Sequence, residues 1–222
     1  MITLGFWDKV GKVANVLLEE GQRAQQRAQQ RQGQLMKDAE RKVQRAGNSE
    51  KMQNPEYARR VNEAKEKLQQ AKLNAYTGGN PNNSVQVNSN GDLLFAGKTA
   101  DQWDISWQSL GRLSNLTLGT LSAYNKSIGL YKAEMNGKVM YIGRAIEHSN
   151  GGFRKRLRDY VRDSDSARTH KSGGKMNEHA HQLNISIVVV GTSDEEVDAV
   201  KALEKALVLK YAPPWNVQFN RL

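Results

Sequence analysis

A chain of 222 residues, 38% apolar and 25% charged, is long enough for one ordinary domain plus a sizeable extension. No stretch approaches the roughly 18 consecutive apolar residues of a membrane span, and Met1 to Gly11 is not followed by a small-residue cleavage site, which argues against a membrane protein and against a signal peptide. The absence of cysteine excludes disulfides and thiolate metal sites and fits a reducing compartment such as the cytoplasm, while the net charge of +10 points to a polyanionic partner, because cations that neutralise phosphates release condensed counterions.

The charge is unevenly placed. Residues 1–80 hold 15 basic against 9 acidic residues, 81–124 hold 2 against 3, and 125–222 hold 16 against 11, so two basic blocks flank a nearly neutral middle. In chain order, Phe6, Val10, Val13 and Leu17 recur at helical spacing and predict an amphipathic helix over 6–20. The run GQRAQQRAQQRQGQ (21–34) is rich in helix formers with little to bury, which predicts a helix that is solvated or needs a partner. Asn54-Pro55-Glu56 supplies a cap, a proline at the first helical position and an early acid, starting a helix expected to reach Tyr76. GGNPNNSVQVNSNGD (78–92) reads as a polar linker and a domain boundary.

Between Leu93 and Tyr124, Phe95, Trp103, Ile105, Trp107 and leucines at 110, 113, 116, 118 and 121 are core material. They predict one or two helices packed on the following domain, with WDISW as an alternative edge strand. From Ser127 two β-type runs meet at Asn136-Gly137, a strong hairpin signal. A glycine pair (151–152), a basic helix from Phe153 to Arg162 and a polar loop then lead to the β-branched run Ile185–Val190. A last helix is expected over Asp194–Tyr211 with Ser193 as its cap. The order is β-β-α-β-α, which predicts an α+β fold with a small mixed sheet of about three strands flanked by helices. The expected organisation is a basic, mostly helical extension (1–77), a linker (78–92), an apolar segment (93–126) and a C-terminal domain (127–222).

Within that domain stand Gly129-Leu130-Tyr131 and, ten residues after its tyrosine, Tyr141-Ile142-Gly143. Arg156 and Tyr160 follow in the basic helix, then Glu204, with Pro213 nine and Asn216 twelve residues beyond it. Together these resemble the GIY-YIG endonuclease family over about residues 127–216. The resemblance implies metal-dependent hydrolysis of nucleic-acid phosphodiesters, with Glu204 as the ligand of Mg²⁺ or Mn²⁺. It implies that Tyr131 acts as the base for the attacking water or helps position it, and that Tyr141 orients water or phosphate. Arg144, directly after the second triplet, resembles the basic residue of repair-type members and is expected to contact nucleic acid, as are Arg154, Lys155, Arg158, Arg162, His170 and Lys171.

The residue chemistry supports this independently. Arg156 and Tyr160 are four apart, so they share a helix face and reach one phosphate, which a planar guanidinium grips through two oxygens. Glu204, on an apolar helix face, is a hard oxygen ligand. Plainer readings stand beside these: Tyr131 and Tyr141 as ordinary strand aromatics, Arg156 as one member of a solvated basic face, Glu204 as a surface acid paired with Lys201 or Lys205. Asn216 either ties the chain end to the site or is a turn residue after Pro213-Pro214. His179 and His181 form an HxH pair with no further ligand in view. The expected substrate is nucleic acid, DNA in preference to RNA. The alternatives are a catalytically silent nucleic-acid-binding protein, or a nuclease toxin or effector whose helices over 6–75 bind a protein partner or self-associate.

Overall fold

The computed structural model describes residues 27, 31, 34–77, 84–162 and 171–216. The helix expected over 6–20 and most of the Gln-Arg-rich run lie outside them. A helix over 34–47 (α1) precedes α2, Pro55–Thr77. The predicted start of α2 is present: Asn54 Oδ1 accepts from the amides of Glu56 (2.9 Å) and Tyr57 (3.2 Å). Val61 is the only buried residue among those of α2. Most of that helix is therefore solvated, and its C-terminal Leu73 and Tyr76 make the core contacts.

The composition of 78–92 predicts a linker, but Val85–Val87 forms a strand (β1) paired antiparallel with Leu93–Phe95 (β2). Asn88 makes the turn compact by accepting from the amides of Asn90 and Asp92, both at 2.9 Å. One or two helices were expected over 93–126; there are two α-helices, both short, with a strand between them. They are Ala100–Asp104 (α3), capped by Thr99, and Leu118–Ser122 (α4), capped by Thr117. The strand, Gln108–Arg112 (β3), lies just after the WDISW segment.

The hairpin Ile128–Met135 (β4) and Lys138–Ala145 (β5) turns at Asn136-Gly137, both with positive φ (52° and 73°). Gly152–Asp159 (α5) follows. The expected polar loop is in part a helix, Lys171–Glu178 (α6), anchored by the fully buried Met176. Asn184–Gly191 (β6) and Val197–Tyr211 (α7) are the last elements among the described residues; Ser193, the expected cap, forms a capping box on the 3₁₀ turn Asp194–Glu196 that leads into α7.

The class is α+β, with helices flanking a four-stranded sheet of order β3-β6-β4-β5 and a separate two-stranded hairpin. Every pairing in the larger sheet is antiparallel. β3 adds an upstream edge strand to the three expected. Both faces are covered, which is why β6 reads as a continuous apolar run. On one face Tyr131, Ala133, Ile185 and Ile187 pack with Phe153 and Leu157 of α5. On the other Ile128, Leu130, Ile142 and Val188 pack with Val200, Leu203 and Leu207 of α7. Burying each such leucine contributes about 1.5–3 kcal/mol relative to leaving it exposed.

The outer side of α7 is covered by the upstream elements. Lys205 donates to the Ala75 carbonyl at the end of α2, and Lys210 bridges Asp101 and Asp104 at 2.7 Å each. The Tyr211 hydroxyl donates to Asp104 at 2.8 Å; burial, then its acceptor, push its pKa up to about 12. Among the described residues no helix is long and apolar enough to cross a membrane.

Candidate active site

Strand alternation puts Tyr131 of β4 and Tyr141 of β5 against the α5 face of the sheet, in one cluster with Tyr160 at the C-terminal end of α5. The Tyr131 and Tyr160 hydroxyls are hydrogen-bonded at 2.5 Å, and the Tyr131 ring lies 6.0 Å from both Tyr141 and Tyr160 between ring centres. This closeness depends on Gly143. A Cβ there would fall 2.4 Å from Cζ and Oη of Tyr131 and 2.7 Å from Cε1 of Tyr141. The glycine of the second triplet is thus the space into which the first triplet's tyrosine fits. Gly129 answers a similar need on the other side of β4, where a Cβ would meet the Val188 carbonyl oxygen at 2.0 Å.

Burial raises the pKa of all three phenols, Tyr131 being 1% exposed. Next in weight, Tyr131 feels the charges of Tyr160 and Tyr141, and Tyr141 that of Glu204. The phenols therefore hold their protons at neutral pH. Of the two roles expected of Tyr131, this environment suits positioning by hydrogen bond and opposes proton abstraction.

Arg156, on the same helix as Tyr160, pairs with Glu147 at 2.9 Å. Glu147 Oε2 and Arg156 Nε are both buried without a hydrogen-bond partner, so the pair holds unused acceptor and donor capacity. Glu147 lies in the AIEHSNGG stretch between the second triplet and α5 and had no expected role; a lone acid ahead of a basic helix was the only signal for it. Asn177 and Ser172 of α6 are further unforeseen neighbours. Asn177 donates to the Tyr160 carbonyl at 2.6 Å, and Ser172 hydrogen-bonds Tyr141.

Glu204 sits beyond β5 on α7, 5% exposed, and pairs with Arg144 of β5. This overturns the reading of Glu204 as a surface acid: Lys201 pairs with Asp198 at 3.0 Å and Lys205 with the Ala75 carbonyl. Burial raises the Glu204 pKa although Arg144, and after it Arg156, pull it down. Desolvation of this carboxylate outweighs the pull of the two arginines.

Asn216 clamps the edge of β5. Its Oδ1 accepts from the Ile142 amide at 2.9 Å, and its Nδ2 donates to the Ile142 carbonyl at 2.6 Å. The Trp215 amide donates to the Met140 carbonyl at 3.0 Å, so residues 215 and 216 cover the exposed edge as a further strand would. Asn216→Ala leaves both Ile142 groups unmet and is expected to cost about 1–3 kcal/mol. Urea unfolding reads it. The Asn216→Asp variant, able to accept but not donate, should recover only part of that loss, and a full recovery would contradict the two-bond clamp.

The remaining expectations divide. Arg154, Lys155, Arg158 and Arg162 do not join the tyrosines; they line a cleft on the outward side of α5. His170 and the Lys171 side chain lie outside the described residues. His179 stacks on Trp215 with ring centres 5.4 Å apart, and among the described residues no three His, Cys, Asp or Glu side chains gather as a metal site.

Residues 127–217 match the family model of the UvrC-like GIY-YIG domain. The C-terminal part of this chain is a GIY-YIG domain. The family is one of endonucleases, generally dependent on divalent metal. No curated protein and no solved structure matches the chain. In the GIY-YIG domain the two triplets lie side by side through the pairing of Tyr131 with Gly143 in the β4–β5 register.

Proposed function

We propose that the GIY-YIG domain is an active endonuclease hydrolysing phosphodiester bonds of nucleic acid, DNA in preference to RNA, with Mg²⁺ or Mn²⁺ as cofactor. The observation that carries this reading is the arrangement around β5: three clustered tyrosines and Arg156 on one side, a buried carboxylate paired with Arg144 on the other.

The donor set fits the metal. Glu204 offers one hard carboxylate, and a small divalent cation that keeps most of its waters needs little more from the protein. When bound there it supplies charge that stabilises the phosphoryl oxygens and the leaving oxygen. Arg144, which pairs with Glu204, would hold phosphate beside the carboxylate that would hold the cation. Arg156 grips the non-bridging oxygens through a guanidinium whose Nε is already desolvated. Tyr131 and Tyr160 share one short hydrogen bond and keep one proton to direct at water or phosphate, which orients the nucleophile in line. Asn216 holds the β5 edge that carries Tyr141 and Arg144.

A panel of labelled duplex, branched and single-stranded DNAs and RNAs tests the reading. Cleavage with Mg²⁺ that stops with EDTA is expected, on DNA above RNA. Cleavage that persists in EDTA overturns the metal assignment. Binding without cleavage of any member favours the silent nucleic-acid-binding alternative.

A further inference from the structure

α5 is a short helix with two basic faces. At 100° per residue, Phe153, Leu157 and Tyr160 point into the core, with Arg156 beside them toward Glu147 and the tyrosines. Arg154, Arg158 and Arg162 step along the opposite side, where with Lys155, Ser149 and Asn150 they line one open cleft. The helical turn extends through Arg162, whose amide donates to the Arg158 carbonyl at 3.1 Å. The acid on that side, Asp159, reaches Arg162 at 4.0 Å. Among the described residues Arg154, Lys155 and Arg158 make no ion pair, and Arg158 Nε is buried without a hydrogen-bond partner.

Four cations against one carboxylate repel one another. Like charges at i,i+4, here Arg154 with Arg158, destabilise a helix. An anion in the cleft would remove that repulsion and satisfy the Arg158 donor.

The geometry points to this cleft as a second phosphate track, which holds a nucleic-acid backbone other than the one being cut. The inference rests on the nuclease reading for what occupies the Arg156 side. A helix with its side chains is about 10–12 Å across, close to the roughly 12 Å width of the B-form major groove. A strand gripped at Arg156 and another in the outward cleft are then separated by the body of α5. One strand cannot lie on both faces without wrapping around the helix, whereas two strands of a duplex can.

The test is binding without divalent metal. Full-length protein and the Arg154→Gln/Arg162→Gln variant are titrated in EDTA against a labelled 20-base-pair duplex and a single strand of the same length, over a series of salt concentrations. The track predicts that the double variant loses about 30-fold on the duplex, that its log–log salt slope shallows by about 2, and that single-strand binding moves less than about 3-fold. An unchanged duplex slope overturns the track. So does an equal loss on both probes, which would place both faces on one strand. Arg158→Gln, tested separately because its Nε is buried, should shallow the slope by about 1 with the fold checked by circular dichroism. Failure of the nuclease reading looks different: the parent binds with the full slope but cleaves nothing with Mg²⁺.

Discussion

Glu204→Gln is expected to lower Mg²⁺-dependent cleavage by about 1,000-fold, equivalent to about 4 kcal/mol of lost transition-state stabilisation, while leaving the protein no less stable at neutral pH. The substitution keeps the shape of the side chain and an oxygen for Arg144 to bond, and removes only the charge. That charge is what a divalent cation needs and what the fold tolerates poorly. Burial is the largest influence on Glu204 and raises its pKa even against Arg144. The folded state thus binds the proton more readily than the unfolded chain, so stability is fully present below the ordinary carboxylate range and falls as pH rises through the interval up to the raised value. Glutamine has no proton to lose. The variant's urea midpoint relative to the parent should therefore climb as pH rises across that interval. A midpoint that instead drops at neutral pH would show the Glu204–Arg144 pair to be net stabilising and would remove the argument that Glu204 is kept for its charge.

Gly143→Ala should injure both stability and cleavage. Gly143 does not have positive φ, so what it provides is space and not an unusual backbone. Contact between carbon atoms is optimal near 3.5–4.0 Å, and the new methyl would stand 2.4 Å from the Tyr131 phenol. Tyr131 is 1% exposed and hydrogen-bonded to Tyr160, so it cannot swing clear. Overpacking of this kind costs about 1–3 kcal/mol, and the rigid ring places the expectation at the upper end. A displacement near 1 Å of the paired hydroxyls would lower cleavage about 100-fold. Gly174→Ala is the control: it lies in α6, a Cβ there meets nothing within 4 Å, and it should leave both readouts intact. A Gly143→Ala protein with parental midpoint and activity would mean that the tyrosine spacing does not depend on this glycine.

Glu204 was marked by its place on an apolar helix face and by its distance to Pro213 and Asn216. Gly143 was marked only as a letter of a motif, and its reason is a contact with a residue on the neighbouring strand. Asn216 stands between: its position was legible, its two bonds to Ile142 were not.

By itself the sequence determined what local chemistry can determine. Asn136-Gly137 required a tight hairpin because those residues accept positive φ, Asn54-Pro55 and Ser193 started helices by capping free amides, and the spacing of apolar residues set β6 and α7. Tertiary structure decided the rest. β3 became a strand only because β6 offered an unpaired edge, and Val85–Val87 only because Leu93–Phe95 lay opposite. The Arg144–Glu204 pair joins residues 60 apart, and Arg156 found its counterion in a loop with no pattern of its own. Local propensity acts over a few residues, whereas burial of a carboxylate, the fit of a ring over a glycine and the pairing of distant charges exist only once the chain has closed on itself.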